Sequence, residues 1–310
     1  MILVTGGTGH VGSPLVKALV KQGARVRIIS LDRNAKIKGA EIIYGDILND
    51  EAVKKAMEGV DTVYHLAAIV DYGPSPKKLM YDVNVNGTKN ILKYSEGKKL
   101  IYLSTTSVYG RKMKENPANE NTPYNPDSYY GKTKEIAEKL VLDGSGIVLR
   151  SPVIYGPGFT AGFDVSLAQM QKGKMPIIGD GSNRIQWIHI SDLIQALLLA
   201  RDKGKPGEKY LVSGSDTKTQ KELSEMTARY LGVEPPKKKV SAFLAYSMAS
   251  YSSFSANLKG KKPKLLPEHI ARITSDRTFD ISKAKRELGF SPKVGYEQGI
   301  KEIVNLYLRN

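Results

Sequence analysis

Met1-Ile-Leu-Val-Thr-Gly6-Gly-Thr-Gly9-His-Val-Gly12 is a short apolar run followed by three glycines spaced three apart, and an amphipathic stretch comes next. Ile2 to Val4 reads as a buried β-strand. Ser13 to Gln22 reads as a helix with Leu15, Ala18 and Leu19 on one face. The glycines therefore stand where a strand turns directly into a helix. A helix N-terminus presents unpaired N–H groups and partial positive charge, which suit a phosphate. Gly6 permits the tight turn, Gly9 lets backbone approach a pyrophosphate, and Gly12 lets helix and strand pack closely. Glycine triplets are common in loops; the strand–turn–helix setting gives this one its meaning.

Composition narrows the class. At 310 residues the chain can bury a full core, and one large domain plus a smaller one is expected. Absent cysteine excludes disulfides and thiolate chemistry. His10, His65, His189 and His269 show no paired ligand spacing, so no metal site is expected. The chain opens directly in its first strand and holds no 18-residue apolar run. No signal peptide or transmembrane helix is expected, and a cytoplasmic location follows. The net charge of +16 comes from lysines spread along the whole chain with no nucleic-acid motif beside them. It reads as a solvated surface, with no nucleic-acid partner.

The first half alternates strand and helix. Further strands are read at Arg25 to Ser30, Glu41 to Tyr44, Thr62 to Leu66, Lys99 to Ser104 and Ile147 to Arg150. Helices are read at Asn49 to Met57, Gly87 to Ser95, Tyr129 to Leu142 and Ser191 to Ala200. Such alternation argues for an α/β fold, a doubly wound parallel sheet covered on both faces. Ligands then bind beyond the carboxyl ends of the strands. Beyond Ser151 glycines and prolines loosen the pattern, and from about 213 onward the chain reads as largely helical. Residues 1–155 with about 185–212 are expected to form the nucleotide-binding domain, and about 156–184 with 213–310 a smaller, mostly helical substrate domain.

Strand five runs into Ser104-Thr105-Thr106-Ser107-Val108-Tyr109-Gly110, and Tyr130 and Lys134 share one face of a later helix. An ammonium near a phenol favours the phenolate. Such a tyrosine can exchange a proton with a substrate hydroxyl while hydride moves at the carbon, and a threonine hydroxyl at the strand end can hold the same oxygen. A second Tyr-x-x-x-Lys, Tyr94 with Lys98, lacks a hydroxyl-rich strand end before it and reads as a solvated helix face.

With these pieces in place, the chain resembles the extended short-chain dehydrogenase/reductases, the NAD-dependent epimerase/dehydratase family, over nearly its full length. The matching segments are the glycine turn, Gly45-Asp46-Ile47, His65-Leu66-Ala67-Ala68, Asn84-Val-Asn-Gly-Thr88, Ser104 to Gly110, Tyr130 with Lys134, Tyr155-Gly-Pro157, Ile188-His-Ile-Ser-Asp192 and Asp280 to Gly289. The resemblance implies a Rossmann-type sheet and NAD or NADP as cofactor. It implies Thr105, Tyr130 and Lys134 as the catalytic set, with Thr106 the fallback for Thr105 and Lys134 also holding the nicotinamide ribose. Cofactor contacts are implied for Gly6, Gly9, His10, Val11, Gly12, Asp46 and Ile47 (beside the adenine), Leu66, Ala67, Ala68, Asn84, Pro152 and Val153. Asp46 and Asn84 also read as helix caps, and His65 and His189 as packing or hydrogen-bonding residues. By family register strand two ends at Ser30. Asp32 suits the NAD ribose, Arg33 suits an NADP phosphate, and both also read as surface partners. Substrate contacts are implied for Asp71, Tyr72, Thr105, Thr106, Val153, Ile154, Trp187 and Arg277. A homodimer through the helices at Gly87 to Ser95 and Tyr129 to Leu142 follows by analogy alone.

Three departures bear on the reaction. Thr106 and Ser107 stand where the family's 4,6-dehydratases resemble one another in an Asp-Glu pair, which argues against dehydration. Val153 and Ile185 stand where nucleotide-sugar epimerases carry Asn and Arg, with Arg184 one step away, which leaves a drier pocket. The stretch Lys262 to Phe279 is similar to the branch of 3β-hydroxysteroid dehydrogenases, dihydroflavonol reductases and hopanoid-associated epimerase-like proteins. An oxidoreductase acting on a secondary hydroxyl or ketone of a small ring compound leads. A nucleotide-sugar 4-epimerase with retained NAD, in which Arg277 contacts the diphosphate, is the alternative. A non-catalytic dinucleotide sensor stands third.

One segment lies outside this reading. Val240 to Leu258 carries Phe243, Leu244, Tyr246, Met248, Tyr251 and Phe254 between Lys237-Lys-Lys239 and Lys259-Gly-Lys-Lys262. It reads either as a helix packed on the second domain or as an interfacial helix at a membrane surface.

Overall fold

The computed structural model of the chain describes residues 1–70, 76–158, 163–258, 267, 270 and 273–309. Its centre is an all-parallel sheet of β1 (Ile2–Thr5), β2 (Val26–Ser30), β3 (Ala40–Tyr44), β4 (Thr62–His65), β5 (Lys99–Thr105), β6 (Ile147–Ser151) and β7 (Lys209–Leu211). The strand order is β7-β6-β5-β4-β1-β2-β3, the doubly wound, Rossmann-type arrangement. The helices are α1 (Gly12–Lys21), α2 (Asp50–Ala56), α3 (Lys77–Tyr81), α4 (Gly87–Lys93), α5 (Tyr129–Asp143), α6 (Phe163–Gln171), α7 (Ile190–Lys203), α8 (Gln220–Leu231), α9 (Ala242–Leu258), α10 (Ser282–Leu288) and α11 (Tyr296–Arg309).

The pleat sorts the strands' side chains. Ile2 and Val4 of β1 face α1 and α7, packing with Leu15, Leu19, Leu193 and Leu197. Leu3, between them, faces α2, α4 and α5 and packs with Val53, Ile91, Ala137 and Val141. Both faces are covered at the centre of the sheet, which is why β1 reads as a continuous apolar run, whereas Arg27 interrupts β2 and Glu41 the edge strand β3. A third core joins Tyr155, Leu167 and Met170 to Leu223 and Leu231 of α8 and to Tyr296, Ile300 and Val304 of α11.

All six strands read from the sequence lie within one residue of their observed ends. The seventh, Lys209–Leu211, is missed. It is three residues at the sheet's edge, too short to show a period, and it is held by pairing with β6 and by Leu211 N donating to Glu120 Oε1 at 2.8 Å. The helix at Gly87 ends at Lys93, so Tyr94 and Lys98 do not share a helix face as the spacing suggested. Tyr94 closes the helix and its hydroxyl donates to Asp50 at 2.8 Å. Between α3 and α4, residues Asp82–Asn86 form a π-helical turn that the sequence pattern does not announce. Among the described residues no helix is long and apolar enough to cross a membrane.

Candidate active site

The glycine turn is a backbone-on-backbone junction. Gly6 has φ +67°, and a Cβ there would lie 2.8 Å from Ala67 N. A Cβ on Gly12 would lie 2.1 Å from the Gly6 carbonyl oxygen and 2.6 Å from Gly7 Cα. No side chain caps α1 and no acid lies in its first turn. Thr8, Gly9 and His10 are exposed and Val11 is half-buried. Strand order reverses between β1 and β4, which opens a crevice at this end of the sheet. A narrow, uncapped, acid-free cradle of this kind fits a dinucleotide pyrophosphate. Gly12→Ala is expected to weaken binding of the reduced dinucleotide at least about tenfold, because the clash is with backbone that has no rotamer to yield. Fluorescence titration checks this, and an unchanged affinity would remove the packing role of Gly12.

Thr5 ties the turn to the end of β4. Its Oγ1 accepts from Leu66 N at 3.2 Å and Ala67 N at 3.1 Å and shares a 2.7 Å hydrogen bond with His65 Nδ1. The other His65 nitrogen lies 2.9 Å from Thr88 Oγ1, and burial pushes the imidazole down to about 3, so it stays neutral. His65 is a hydrogen-bonding residue, as its sequence setting suggests. The Leu66-Ala67-Ala68 run is thereby fixed beside the glycines. Asn84 is not a cap; it is a cross-link. Its Nδ2 donates to Ile69 O and to Thr133 Oγ1, both at 3.0 Å, and its Oδ1 accepts from Ile69 N at 2.8 Å.

At the far side, Ser30 is buried and accepts from Asp32 N at 3.1 Å, while Asp32 Oδ1 accepts from Asn34 N at 2.8 Å. The Arg33 guanidinium lies 4.4 Å from the centre of the Tyr44 ring. Asp46 does not cap α2; Asn49 does, accepting from Ala52 N at 2.9 Å. Asp46 closes a turn by accepting from Leu48 N at 2.9 Å. Ile47 is buried against Gly87, where a Cβ would come within 2.5 Å of its Cδ1.

The end of β5 and the start of α5 meet through another glycine. A Cβ on Gly131 would lie 2.7 Å from Ser107 O, so the first turn of α5 sits directly on the single 3-10 turn Thr106–Tyr109. Ser128 caps α5, accepting from Gly131 N at 3.0 Å. Thr105 and Tyr130, both half-buried, are carried by these two abutting turns. Thr105 Oγ1 accepts from Ser107 N at 3.2 Å. Thr106 is buried and engaged elsewhere. Arg277 donates to its carbonyl at 2.9 Å, to its hydroxyl at 3.3 Å and to Gly110 O at 2.5 Å.

One turn below Tyr130, Lys134 is buried. Its Nζ donates to Leu103 O at 2.7 Å and lies 4.0 Å from the centre of the Tyr102 ring. Burial pushes the Lys134 ammonium down to about 7, against the opposing pull of Glu138. The sign follows: below pH 7 both native and unfolded lysine are charged and the fold carries the full cost. Between about 7 and 10.5 the native state binds fewer protons, so stability rises with pH, and above 10.5 the cost is gone. Thermal melts of the wild type and Lys134→Met across pH 6 to 10 are expected to show the wild type gaining on the variant above neutrality. A pH-independent difference would mean that Lys134 titrates normally.

The layer beneath was not anticipated from the sequence. Glu138, one further turn along α5, accepts from Ser104 Oγ at 2.5 Å, Tyr124 OH at 2.7 Å, and Arg150 through Nε at 2.9 Å and Nη2 at 2.5 Å. Arg150 also donates to Tyr109 OH at 2.8 Å and Glu120 O at 3.0 Å. Both charged side chains are fully buried. The four-residue spacing of Tyr130, Lys134 and Glu138 was the available signal.

Pro152 is buried just past β6, Val153 O accepts from Ile188 N at 3.0 Å, and Ile154 pairs with Ile188. Trp187 belongs to an aromatic cluster with Tyr155, Phe163 and Tyr296, at ring separations of 5.4 to 6.0 Å. His189 caps α7 through Nδ1. Asp71 and Tyr72 lie outside the described residues.

A model of the NAD dependent epimerase/dehydratase family matches residues 2–213, and one described as GDP-mannose 4,6 dehydratase matches residues 159–303. The chain belongs to the NAD-dependent epimerase/dehydratase family, and its cofactor is a nicotinamide dinucleotide. It is 28% identical to a 3 beta-hydroxysteroid dehydrogenase/Delta 5-->4-isomerase of Mycobacterium tuberculosis, over 99% of this chain and 90% of that protein. It is 28% identical to a 2-alkyl-3-oxoalkanoate reductase of Shewanella oneidensis, over 97% of this chain and 84% of that protein. Among solved structures it is similar to UDP-glucuronic acid 4-epimerase from Bacillus cereus in complex with NAD, with a TM-score of 0.79 and 25% identity, covering 99% and 98% of the two chains.

Proposed function

We propose that this protein is an NAD(P)-dependent oxidoreductase acting on a secondary hydroxyl or ketone of a small, ring-containing substrate. The observation that carries the reading is the backbone contact between Gly131 and Ser107, which brings the turn bearing Thr105 against the turn bearing Tyr130 and Lys134. When bound, the nicotinamide supplies or accepts the hydride at the reacting carbon. Tyr130 gives or takes the proton at the substrate oxygen, and Thr105 Oγ1 holds that oxygen. In its charged form Lys134 stabilises the Tyr130 phenolate. The ammonium's tie to Leu103 O fixes its distance from β5.

Two features favour an oxidoreductase over a sugar-nucleotide epimerase. Val153, Ile154 and Ile185 offer no polar group to a diphosphate, and the Arg277 guanidinium is engaged with Thr106 and Gly110. The absence of an Asp-Glu pair at Thr106 and Ser107 speaks against dehydration despite the match to a dehydratase model.

The test is the nucleotide that the purified protein carries, released by denaturation and identified by chromatography and mass. An empty site that fills with added NAD(H) or NADP(H), with a preference between them, is the expected result and assigns Asp32 and Arg33 their parts. Stoichiometric NAD that survives purification would put the epimerase first.

A further inference from the structure

We propose that α9 docks on an anionic lipid surface. This helix is built the wrong way round for a soluble protein. Ala245 and Ala249 are its buried residues, packed near Ile178, Val240 and Ile270. Its large apolar side chains point out: Phe243 is 83% exposed, Tyr251 74%, Phe254 64%, Met248 58% and Leu244 51%. At about 100° per residue, Phe243, Leu244, Tyr251 and Phe254 fall within a single arc of roughly 100°, opposite the two alanines. A soluble helix turns its large apolar residues inward and exposes its small and charged ones. Contiguous exposed apolar surface of this kind marks an interaction site.

Charge selects the occupant. Residues 235–267 contain seven lysines and no acidic residue, α9 itself carries no charge, and of the acids that bracket the stretch, Glu234 and Glu268, Glu234 pairs with Lys237 at 2.8 Å. Lys237, Lys238 and Lys239 are exposed just before it, and Lys259, Lys261, Lys262 and Lys264 follow it in sequence. A second copy laid antiparallel on the same face would bring lysine cluster against lysine cluster with no carboxylate on the helix between them. A membrane surface with acidic headgroups accepts both parts: the aromatic and aliphatic side chains enter the acyl boundary while the lysines meet the headgroups. Too short and too serine-rich to span, α9 lies in the plane of the interface.

The position of α9 ties this surface to the rest of the molecule. Asp127 first, and then Tyr246 of α9, hold the Arg111 guanidinium above its ordinary value, and Arg111 directly follows Gly110 of the turn that Arg277 clamps. A cleft of about 400 Å³ lined by Arg111, Lys112, Asn125, Asp127, Thr274 and Ser275 opens there. The docking proposal does not rest on the redox reading and survives its failure.

Co-sedimentation of the full chain with vesicles of phosphatidylcholine, with and without phosphatidylserine, tests it. The protein is expected to pellet with the serine-containing vesicles at low salt, less so as salt screens the lysines, and to stay in solution with phosphatidylcholine alone. The triple variant Phe243→Ser, Tyr251→Ser, Phe254→Ser is expected to lower partitioning roughly tenfold with dinucleotide binding intact. The single variant Phe254→Trp, which changes one exposed side chain, is expected to show a larger blue shift of emission on adding the acidic vesicles than the wild type with Trp187 alone. Recovery in the supernatant at low salt overturns the proposal. So does wild-type binding by the triple variant, which would leave a charge effect alone, and so does a dimer that the triple variant breaks without any vesicle binding.

Discussion

Replacing Tyr130 by Phe is expected to lower kcat about 10²- to 10⁴-fold while leaving dinucleotide affinity close to that of the wild type. The change removes one oxygen from a half-buried side chain in the first turn of α5. It does not disturb the Ser128 cap, the Gly131 contact with Ser107 or the Lys134 tie to Leu103. Steady-state rates with a cyclic ketone or alcohol substrate, beside a fluorescence titration of the cofactor, separate the two effects. Thr105→Val and Thr106→Val refine the result. A larger loss at Thr105 is expected, because the Thr106 hydroxyl is buried and meets Arg277. Full turnover by the Phe variant would remove Tyr130 from the chemistry and leave the proton transfer to another group.

The largest stability effect is expected at Glu138. Glu138→Leu leaves the fully buried Arg150 guanidinium without its carboxylate, at a cost of about 3–5 kcal/mol and a fall in Tm of roughly 10 °C. Burial works against the Arg150 charge, and Glu138 and Tyr109 beside it more than compensate, so the guanidinium holds its proton above its ordinary value. Arg150→Met alone strands the Glu138 carboxylate and is expected to cost a similar amount. The double variant is expected to recover much of the loss, since both desolvated charges are gone, although Ser104, Tyr109 and Tyr124 still lose partners. Denaturant melts of the two single variants and the double variant close the cycle. A single-variant loss under about 1 kcal/mol would place this pair with ordinary surface ion pairs.

The sequence was legible where one period or one residue type decides the outcome. Short apolar stretches bounded by turn residues placed β1 to β6 to within a residue, unbroken in β1, which is covered on both faces, and interrupted by Arg27 in β2 and Glu41 in the edge strand β3. A glycine whose Cβ would strike backbone, as at Gly6 and Gly12, announces itself by its place between strand and helix. Tyr130 and Lys134 were singled out by their helical spacing and the hydroxyl-rich end of β5, and both lie on α5. What escaped depends on contacts between distant segments. Asn84 reads as a cap until Ile69 and Thr133 are seen around its amide. Glu138 reads as one of three acids on α5 until Arg150 arrives from β6. β7 has no signal of its own, because pairing with β6 and the Glu120 carboxylate make it a strand. The inverted α9 could be suspected from composition alone, yet which of its faces meets the protein is settled only by packing against Ile178 and Ile270.

The strand order also has a consequence for synthesis. The growing chain can assemble β3-β2-β1-β4-β5 from its first 105 residues, with β1 at the centre of that unit. The outer edge of β5 then waits for β6, made more than forty residues later, and β6 in turn waits for β7 at residues 209–211. For that interval the nascent protein presents an unpaired, apolar strand edge ending in the very turn that bears Thr105. The strand that ends at Thr105 is thus open to mispairing while residues 106 to 147 emerge, β6 then stays open for longer, until residue 209, and a holdase chaperone has most to offer across residues 106 to 209.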